Sequence, residues 1–172
     1  ARFIPAFLEL GGKDPAVVLA SADLEVATDV VLRGSIANNG HACMSLERVY
    51  VQRPLYEPFV RRLVEKAEAV KLAFPDPRAG YLGPLIFEPQ ARIIRAQLDD
   101  ARARGARVLT GGTIETLGGG LYCRPTVVVD VDHSMALLTE ETFGPVIPVM
   151  PFDTPAEAIA LANDSEFGLS AC

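Results

Sequence analysis

Short β-rich runs alternate along this sequence with amphipathic segments of helix length. We predict strands at residues 4–10, 16–20, 48–52, 107–109, 126–131 and 146–152, and helices at 24–37, 54–71, 89–104 and 154–163. This alternation is typical of an α/β domain with a mostly parallel sheet flanked by helices. Because no internal repeat or long linker divides the chain, we interpret residues 1–172 as one domain.

Capping and turn residues support several of these boundaries. Asp23 and Thr154 stand where helix N-caps are expected. Asn38-Asn39-Gly40 is typical of a helix end, since these residues tolerate a positive φ. Residues 111–120 are rich in glycine and are predicted to be a flexible loop. Pro148 and Pro151 indicate that the strand at 146–152 lies at a sheet edge.

The composition excludes several classes of protein and favours a cytoplasmic setting. The formal net charge is −6, whereas nucleic acids and anionic membranes bind basic surfaces. No apolar run approaches the roughly 18–20 residues of a membrane span. Three cysteines do not form a disulfide framework in a chain of 172 residues. We expect no secretory leader, and we expect both ends of the chain to be cuts through a longer protein.

Familiar cofactor and metal motifs are not found in the sequence. It contains neither G-x-G-x-x-G nor G-x-x-x-x-G-K-[ST], and no Cys or His cluster has the spacing of metal ligands. The glycine run 118–120 does not join a strand to a helix, so we interpret it as part of a loop. We therefore expect no metal site.

The residues that could still carry chemistry are cysteines and carboxylates. Cys43 follows the predicted helix end, where exposed backbone amides can stabilise a thiolate nucleophile. The alternative is a small buried hydrophobe, which is the commoner role of a lone cysteine. Glu9 ends an apolar run, either on a solvated face or in a pocket as a base. Position in the sequence alone decides neither the role of Cys43 nor that of Glu9. No polar constellation surrounds Cys123 or Cys172 in the sequence, so we assign neither a chemical role.

The motifs around Glu9 and Cys43, together with others along the whole chain, resemble those of the aldehyde dehydrogenase superfamily. Leu8-Glu9-Leu10-Gly11-Gly12-Lys13 is similar to its glutamate signature, and Asn38-x-Gly40-x-x-Cys43 with Arg48-Val49-x-Val51 is similar to its cysteine signature. Glu9 and Cys43 lie 34 positions apart, as the family pattern requires. Further matches follow in order: Gly83-Pro84, Gly105-Ala106, Gly111-Gly112, Gly119-Gly120-x-Tyr122, Pro125-Thr126, Glu140-Glu141-x-Phe143-Gly144-Pro145-Val146, and Asn163 with Phe167-Gly168-Leu169. An ordered set of this kind is highly specific.

The resemblance implies catalytic and cofactor-binding roles for several residues. Cys43 would attack the aldehyde carbon, with its backbone N–H donating to the oxyanion, and Glu9 would activate the water that hydrolyses the thioester. Glu141, Phe143, Leu10 and Gly11 would contact the nicotinamide end of NAD or NADP. The expected partner is a small aldehyde, and the parent protein is expected to be a homodimer or homotetramer.

The sequence departs from the family pattern at two positions. The family usually has Gln where this chain has His41, and Ile or Leu where it has Thr142. We interpret His41 as a neutral substitute in the same hydrogen bonds rather than as a proton relay.

Much of the family's cofactor site is also expected to lie outside the chain. Residues 1–12 resemble the last strand of a cofactor-binding domain whose remainder precedes the chain, so we expect the isolated chain to be inactive. Two alternatives remain. The first is a dehydrogenase that passes the acyl group to coenzyme A, which the hydrolytic base Glu9 disfavours. The second is a non-enzymatic scaffold, against which Glu9 gives no argument.

Overall fold

A computed structural model describes residues 3–172 of the chain. The strands are β1 (Asp14–Val18), β2 (Leu46–Gln52), β3 (Arg107–Thr110), β4 (Ile114–Leu117), β5 (Gly120–Cys123), β6 (Thr126–Val129) and β7 (Val146–Phe152). The α-helices are α1 (Leu24–Ile36), α2 (Arg53–Glu68), α3 (Glu88–Ala103), α4 (Ala136–Thr139) and α5 (Pro155–Asn163), and a 3-10 turn spans Ala37–Gly40.

Five strands form one twisted sheet in the order β1-β2-β7-β6-β3. The pairs β1–β2, β2–β7 and β6–β7 are parallel, and only β3 runs antiparallel, against β6. The remaining strands, β4 and β5, pair with each other in a separate hairpin. The fold is therefore α/β with a mostly parallel sheet flanked by helices, as the alternation of elements predicted.

Side chains of the central strands alternate between two cores. In β6, Val127 and Val129 pack into the core that contains α1 and α2, whereas Val128 faces the core that contains α3. Phe59 and Leu63 of α2 are fully buried against the first core. Complete burial of a side chain of this size contributes about 1.5–3 kcal/mol. Burial on both faces explains why these strands consist of continuous apolar residues.

Predicted helix boundaries agree with the structure to within a few residues. The side chain of Asp23 accepts a hydrogen bond from Val26 N at 2.9 Å, and that of Thr154 accepts one from Glu157 N at 3.2 Å. At the C-terminal end of α5, the buried Arg48 guanidinium donates to the carbonyl oxygens of Leu161 and Ala162. A cation at this position also complements the helix dipole.

The strand predicted at residues 4–10 is absent from the described chain. Residues 3–13 have no regular secondary structure. Their large apolar side chains are exposed: Phe3, Ile4, Phe7, Leu8 and Leu10. A strand needs a neighbour to accept and donate its backbone hydrogen bonds, and no described strand lies beside this segment. The apolar pattern was therefore not sufficient to produce a strand here.

The flexible loop predicted at residues 111–120 is also wrong. Its second half belongs to the β4–β5 hairpin, in which Leu117 is opposite Gly120. Gly118 and Gly119 form the connection with φ values of 58° and 86°. Two consecutive residues with positive φ match the twist of paired strands and give a tight hairpin. The glycines therefore specify a turn rather than a mobile segment.

β7 lies inside the sheet and not at its edge, contrary to the prediction from its prolines. Its first half pairs with β6 through Val146–Pro148, and its second half pairs with β2 through Val149–Phe152. Because the two neighbours scarcely overlap, Pro148 and Pro151 each lie where only one side of β7 is in register with another strand. A missing N–H is tolerated at such positions.

None of the helices in residues 3–172 combines the length and the apolar character that crossing a membrane requires.

Candidate functional site

A turn after α1 carries the candidate nucleophile. Asn38, Asn39 and Gly40 have φ values of 51°, 60° and 73°. Asn38 Nδ2 donates to the carbonyl oxygen of His41 at 2.8 Å. Asn39 Oδ1 accepts from Gly83 N at 2.9 Å. Short polar side chains tolerate positive φ because they hydrogen-bond nearby backbone, so these residues redirect the chain sharply.

Cys43 lies in the next turn, between Ala42 and Ser45. Ser45 N donates to the carbonyl oxygen of Ala42 at 3.0 Å, which closes the turn around the cysteine. Cys43 is half-buried, whereas Cys123 is buried. Burial raises the pKa of Cys123 to about 11. Of these two thiols, Cys43 is therefore the one that combines solvent access with a turn of exposed backbone.

The glutamate segment lies directly against this turn. A β-carbon placed on Gly12 would lie 1.9 Å from the carbonyl oxygen of Cys43. Glu9, three residues earlier, is exposed, and its Oε1 accepts a hydrogen bond from Gly11 N at 3.1 Å. The two candidate catalytic segments thus meet in space although they are far apart in sequence.

A cavity of about 230 Å³ joins Glu9 to the candidate cofactor residues. Its lining consists of Glu9, Phe87, Gln90, Ile93, Glu141 and Phe143. Leu10 does not line this cavity and is 77% exposed. Of the residues predicted to contact the cofactor, the structure therefore groups Glu141 and Phe143 with Glu9, and leaves Leu10 uncovered.

Glu141 is anchored to the glutamate segment. Its Oε1 accepts a hydrogen bond from Gly12 N at 2.9 Å, and a β-carbon on Gly11 would lie 3.2 Å from its Oε2. Burial raises the pKa of Glu141 above its ordinary value, and the nearby carboxylates of Glu47 and Glu9 act in the same direction, while the Gly12 N–H opposes them. The site therefore contains a carboxylate that ionises at a higher pH than usual.

Phe143 stacks on His41. The ring centroids are 5.7 Å apart with an interplanar angle of 15°. Burial lowers the pKa of His41, which favours the neutral imidazole. Its Nε2 atom has no hydrogen-bond partner among residues 3–172. The neutral state agrees with the prediction, but the ring lies against an aromatic face and its Nε2 does not make the expected hydrogen bond.

Sequence reasoning missed a buried charged pair beneath the site. Lys13 Nζ donates to Glu47 Oε2 at 2.8 Å and to Thr142 Oγ1 at 2.7 Å. Glu47 in turn accepts from the backbone N–H groups of Thr142 and Phe143, each at 2.8 Å. The available signal was Glu47 itself, an acidic residue inside the buried strand β2. A charge in such a position requires specific partners.

These contacts assemble one site from three separate segments. The N-terminal segment supplies Glu9 and Gly12, the turn after α1 supplies Cys43, and the segment before β7 supplies Glu141 and Phe143. A thiol, a carboxylate base and a second carboxylate near a small cavity are suited to covalent catalysis on a small carbonyl compound with a polar cofactor group nearby.

Comparisons with known proteins match this chain over nearly its whole length. The model of the aldehyde dehydrogenase family matches residues 1–172. Lactaldehyde dehydrogenase of Escherichia coli K12 is 44% identical over 164 residues, which are 95% of this chain and 34% of that protein. The chain therefore spans about a third of the length of the curated relatives that it matches.

Solved structures show the same likeness. PutA from Anabaena variabilis is 53% identical with a TM-score of 0.95, over 98% of this chain and 36% of that one. Betaine aldehyde dehydrogenase from Staphylococcus aureus, solved in complex with NAD+, is 37% identical with a TM-score of 0.88, over 95% of this chain and 33% of that one. The family match extends from the first residue to the last, and the chain belongs to the aldehyde dehydrogenase family.

Proposed function

We propose that the protein containing this chain oxidises an aldehyde to a carboxylate with NAD(P)+, using Cys43 as nucleophile and Glu9 as base. One observation carries the proposal: Gly12 is in close contact with the carbonyl of Cys43 while its N–H is bonded to Glu141. This glycine connects the turn of the nucleophile to the candidate cofactor carboxylate, and it follows the base Glu9 by three residues. The family membership supports the same reaction class.

Cys43 begins the reaction. Its thiolate attacks the aldehyde carbon, a C–S bond forms, and the carbonyl electron pair moves onto oxygen to give a thiohemiacetal. The backbone N–H of Cys43 donates to this oxyanion. Loss of a hydride from carbon then converts the thiohemiacetal into a thioester.

The described residues fit the nicotinamide end of NAD or NADP. When bound, the nicotinamide ring accepts the hydride. Glu141 would accept hydrogen bonds from the ribose hydroxyls, since a carboxylate has about four acceptor positions and Gly12 N occupies one. Phe143 would pack beside the ring, and Gly11 allows close approach because it has no side chain. Leu10 would close the site only if its exposed side chain is covered by a further segment or by the cofactor.

Glu9 completes the reaction by general base catalysis. Its carboxylate takes a proton from water as the water oxygen attacks the thioester carbon, and the Cys43 thiolate leaves. The exposed side chain of Glu9 lines the same cavity as Phe143, so water can reach it. The products are a carboxylic acid and the regenerated nucleophile.

The proposal extends to the setting of the protein. We place it in the cytoplasm, with a small aldehyde as its substrate and without nucleic acid or membrane partners. We expect a homodimer or homotetramer. Similarity to lactaldehyde and betaine aldehyde dehydrogenases favours a small polar aldehyde, although those substrates belong to the relatives.

A panel of aldehydes assayed with NAD+ and with NADP+ tests the function, using the complete protein that contains these residues. Reduced cofactor should form, with a carboxylate product, and Cys43→Ser should abolish its formation. A second arm includes coenzyme A. Formation of an acyl-coenzyme A instead of a carboxylate would favour the acylating alternative, and absence of any turnover across the panel would favour a scaffold.

A further inference from the structure

Buried side chains bind four backbone polar groups of the segment that carries Glu141 and Phe143. Gln97 Nε2 donates to the carbonyl oxygen of Glu141 at 3.1 Å, and Gln90 Nε2 donates to that of Thr142. Both glutamines are buried on α3. The N–H groups of Thr142 and Phe143 are bound by Glu47 of β2. The segment is therefore clamped between a helix and the sheet.

Glu47 forms the sheet side of this clamp. Its two carboxylate oxygens accept separately, Oε2 from Thr142 N and Oε1 from Phe143 N, both at 2.8 Å. Two adjacent N–H groups aimed at one carboxylate fix the direction of the backbone between them, because each bond is short and charge-assisted. Phe143 has a φ of 49°, a conformation that non-glycine residues rarely adopt. Surrounding contacts must maintain it, and Glu47 contributes one of them.

Lys13 balances the charge of Glu47. The residue is 1% exposed, and its ammonium group donates to Glu47 Oε2 and Thr142 Oγ1. Thr142 then donates to Gln97 Oε1 at 2.7 Å. The threonine hydroxyl thus connects the ion pair to the helix. An aliphatic side chain at this position would leave both Lys13 and Gln97 with an unsatisfied group.

Lys13 also follows directly on Gly12, whose N–H binds Glu141. One short segment of chain therefore contacts both the carboxylate of Glu141 and the side-chain hydroxyl of the next residue, Thr142. The carbonyl oxygen of Lys13 accepts from Arg48 Nε at 2.7 Å, which fixes this segment to β2. None of Lys13, Glu47 and Thr142 lines the cavity.

We propose that the buried Lys13–Glu47 pair, linked through Thr142, is a positioning device that sets Glu141 and Phe143 for the nicotinamide end of the cofactor. The pair does not touch the cofactor and acts through the backbone of residues 141–143. This inference rests on the proposed function, because it requires that Glu141 and Phe143 face NAD(P)+. It assigns to Thr142 a role that an aliphatic residue cannot fill.

The test compares Glu47→Gln with Thr142→Val and Thr142→Ser in the complete protein that contains this chain. Glu25→Gln serves as the control because Glu25 forms exposed ion pairs on α1. Two quantities are measured for each variant: the equilibrium Kd for NAD+ or NADP+, and the rate at which p-nitrophenyl acetate acylates Cys43 without cofactor. Thermal melting by circular dichroism verifies that each variant is folded.

We expect Glu47→Gln to weaken cofactor binding roughly tenfold or more, the scale of one lost hydrogen bond to a charged group. Thr142→Val should weaken it less, and Thr142→Ser should restore it because the hydroxyl is kept. Acylation of Cys43 should change by less than about twofold in all of them, since its turn is held by other contacts. Glu25→Gln should leave both quantities unchanged.

Unchanged cofactor affinity in folded Glu47→Gln would overturn the inference, as would equal losses in affinity and acylation. If Glu47→Gln does not fold, the comparison of Thr142→Val with Thr142→Ser decides in the same way. Failure of the proposed function is separate and visible, because the unsubstituted protein would then neither bind NAD(P)+ nor oxidise an aldehyde.

Discussion

Gly12 is packed so closely against Cys43 that a β-carbon on the glycine would lie 1.9 Å from the cysteine carbonyl oxygen. This distance is far inside van der Waals contact. The absence of a side chain at Gly12 is therefore a condition for the meeting of the glutamate segment and the cysteine turn. Each of the two motifs depends on the other for its position.

Gly12→Ala should consequently displace the two segments and reduce acylation of Cys43 by a cofactor-independent ester. The clash is with backbone, which cannot rotate away as a flexible side chain can. Gly168→Ala is the matched control, because a β-carbon there meets nothing within 4 Å. The measurement is the burst rate of p-nitrophenyl acetate hydrolysis. An equal rate in Gly12→Ala and the unsubstituted protein would mean that the contact is easily relieved.

Cys43 should be alkylated more readily than the other internal thiol, Cys123, at neutral pH. Burial raises the pKa of Cys123 to about 11, so that thiol stays protonated and shielded, whereas Cys43 is half-buried in an open turn. Iodoacetamide labelling followed by peptide mapping measures the ratio. Cys172 is left out of the comparison because it is the last residue and is exposed. Preferential labelling of Cys123 would contradict this assignment.

Glu9→Gln should slow thioester hydrolysis while leaving its formation largely intact. Loss of a general base typically costs 10²–10⁴-fold. A rapid burst of reduced cofactor followed by slow turnover is the expected stopped-flow trace in the complete protein. Glu140→Gln provides a control, since Glu140 is an exposed carboxylate beside the same segment. Equal loss of the burst and of the steady rate would show that Glu9 has another part in the reaction.

Cofactor affinity should fall as the pH is lowered towards the raised pKa of Glu141. Burial favours the protonated carboxyl, so protonation occurs at a higher pH than for an ordinary glutamate, and a protonated group accepts fewer hydrogen bonds from ribose hydroxyls. The affinity is therefore full above this pKa and is lost on acidification through it. Titrations of NAD+ at several pH values measure the effect. Glu141→Gln should bind weakly at every pH, and an undiminished pH dependence in that variant would assign the effect to another group.

The 172-residue chain alone should neither bind NAD(P)+ tightly nor turn over an aldehyde. Its candidate contacts reach only the nicotinamide end, whereas pyrophosphate binding at a helix N-terminus supplies much of the affinity in dinucleotide sites. A cofactor that is not held over the thiohemiacetal forfeits most of the proximity effect, worth about 7–11 kcal/mol. Isothermal titration with both cofactors and an absorbance assay test this. Micromolar binding with turnover would show that the cofactor site lies mostly within these residues.

Much of this fold was predictable from local patterns. The N-caps Asp23 and Thr154, the turn at Asn38–Gly40 and the apolar strand 126–131 were all recognisable because their hydrogen bonds or φ preferences involve residues only a few positions apart. The hairpin at Gly118 and Gly119 carried an equally local signal, which the glycine content obscured. The predicted strand at residues 4–10 failed for the opposite reason, since a strand depends on a partner that the chain does not place beside it.

The sequence by itself determined the chemistry that is available: one cysteine after a helix end, glutamates in two motifs, and the family to which they belong. Only the tertiary structure decided how those groups meet. The contact of Gly12 with Cys43, the stacking of His41 on Phe143 and the ion pair of Lys13 with Glu47 join residues that are 31, 102 and 34 positions apart. Such contacts arise when the sheet brings distant loops to one edge, and no local preference encodes a neighbour that the chain reaches only by folding.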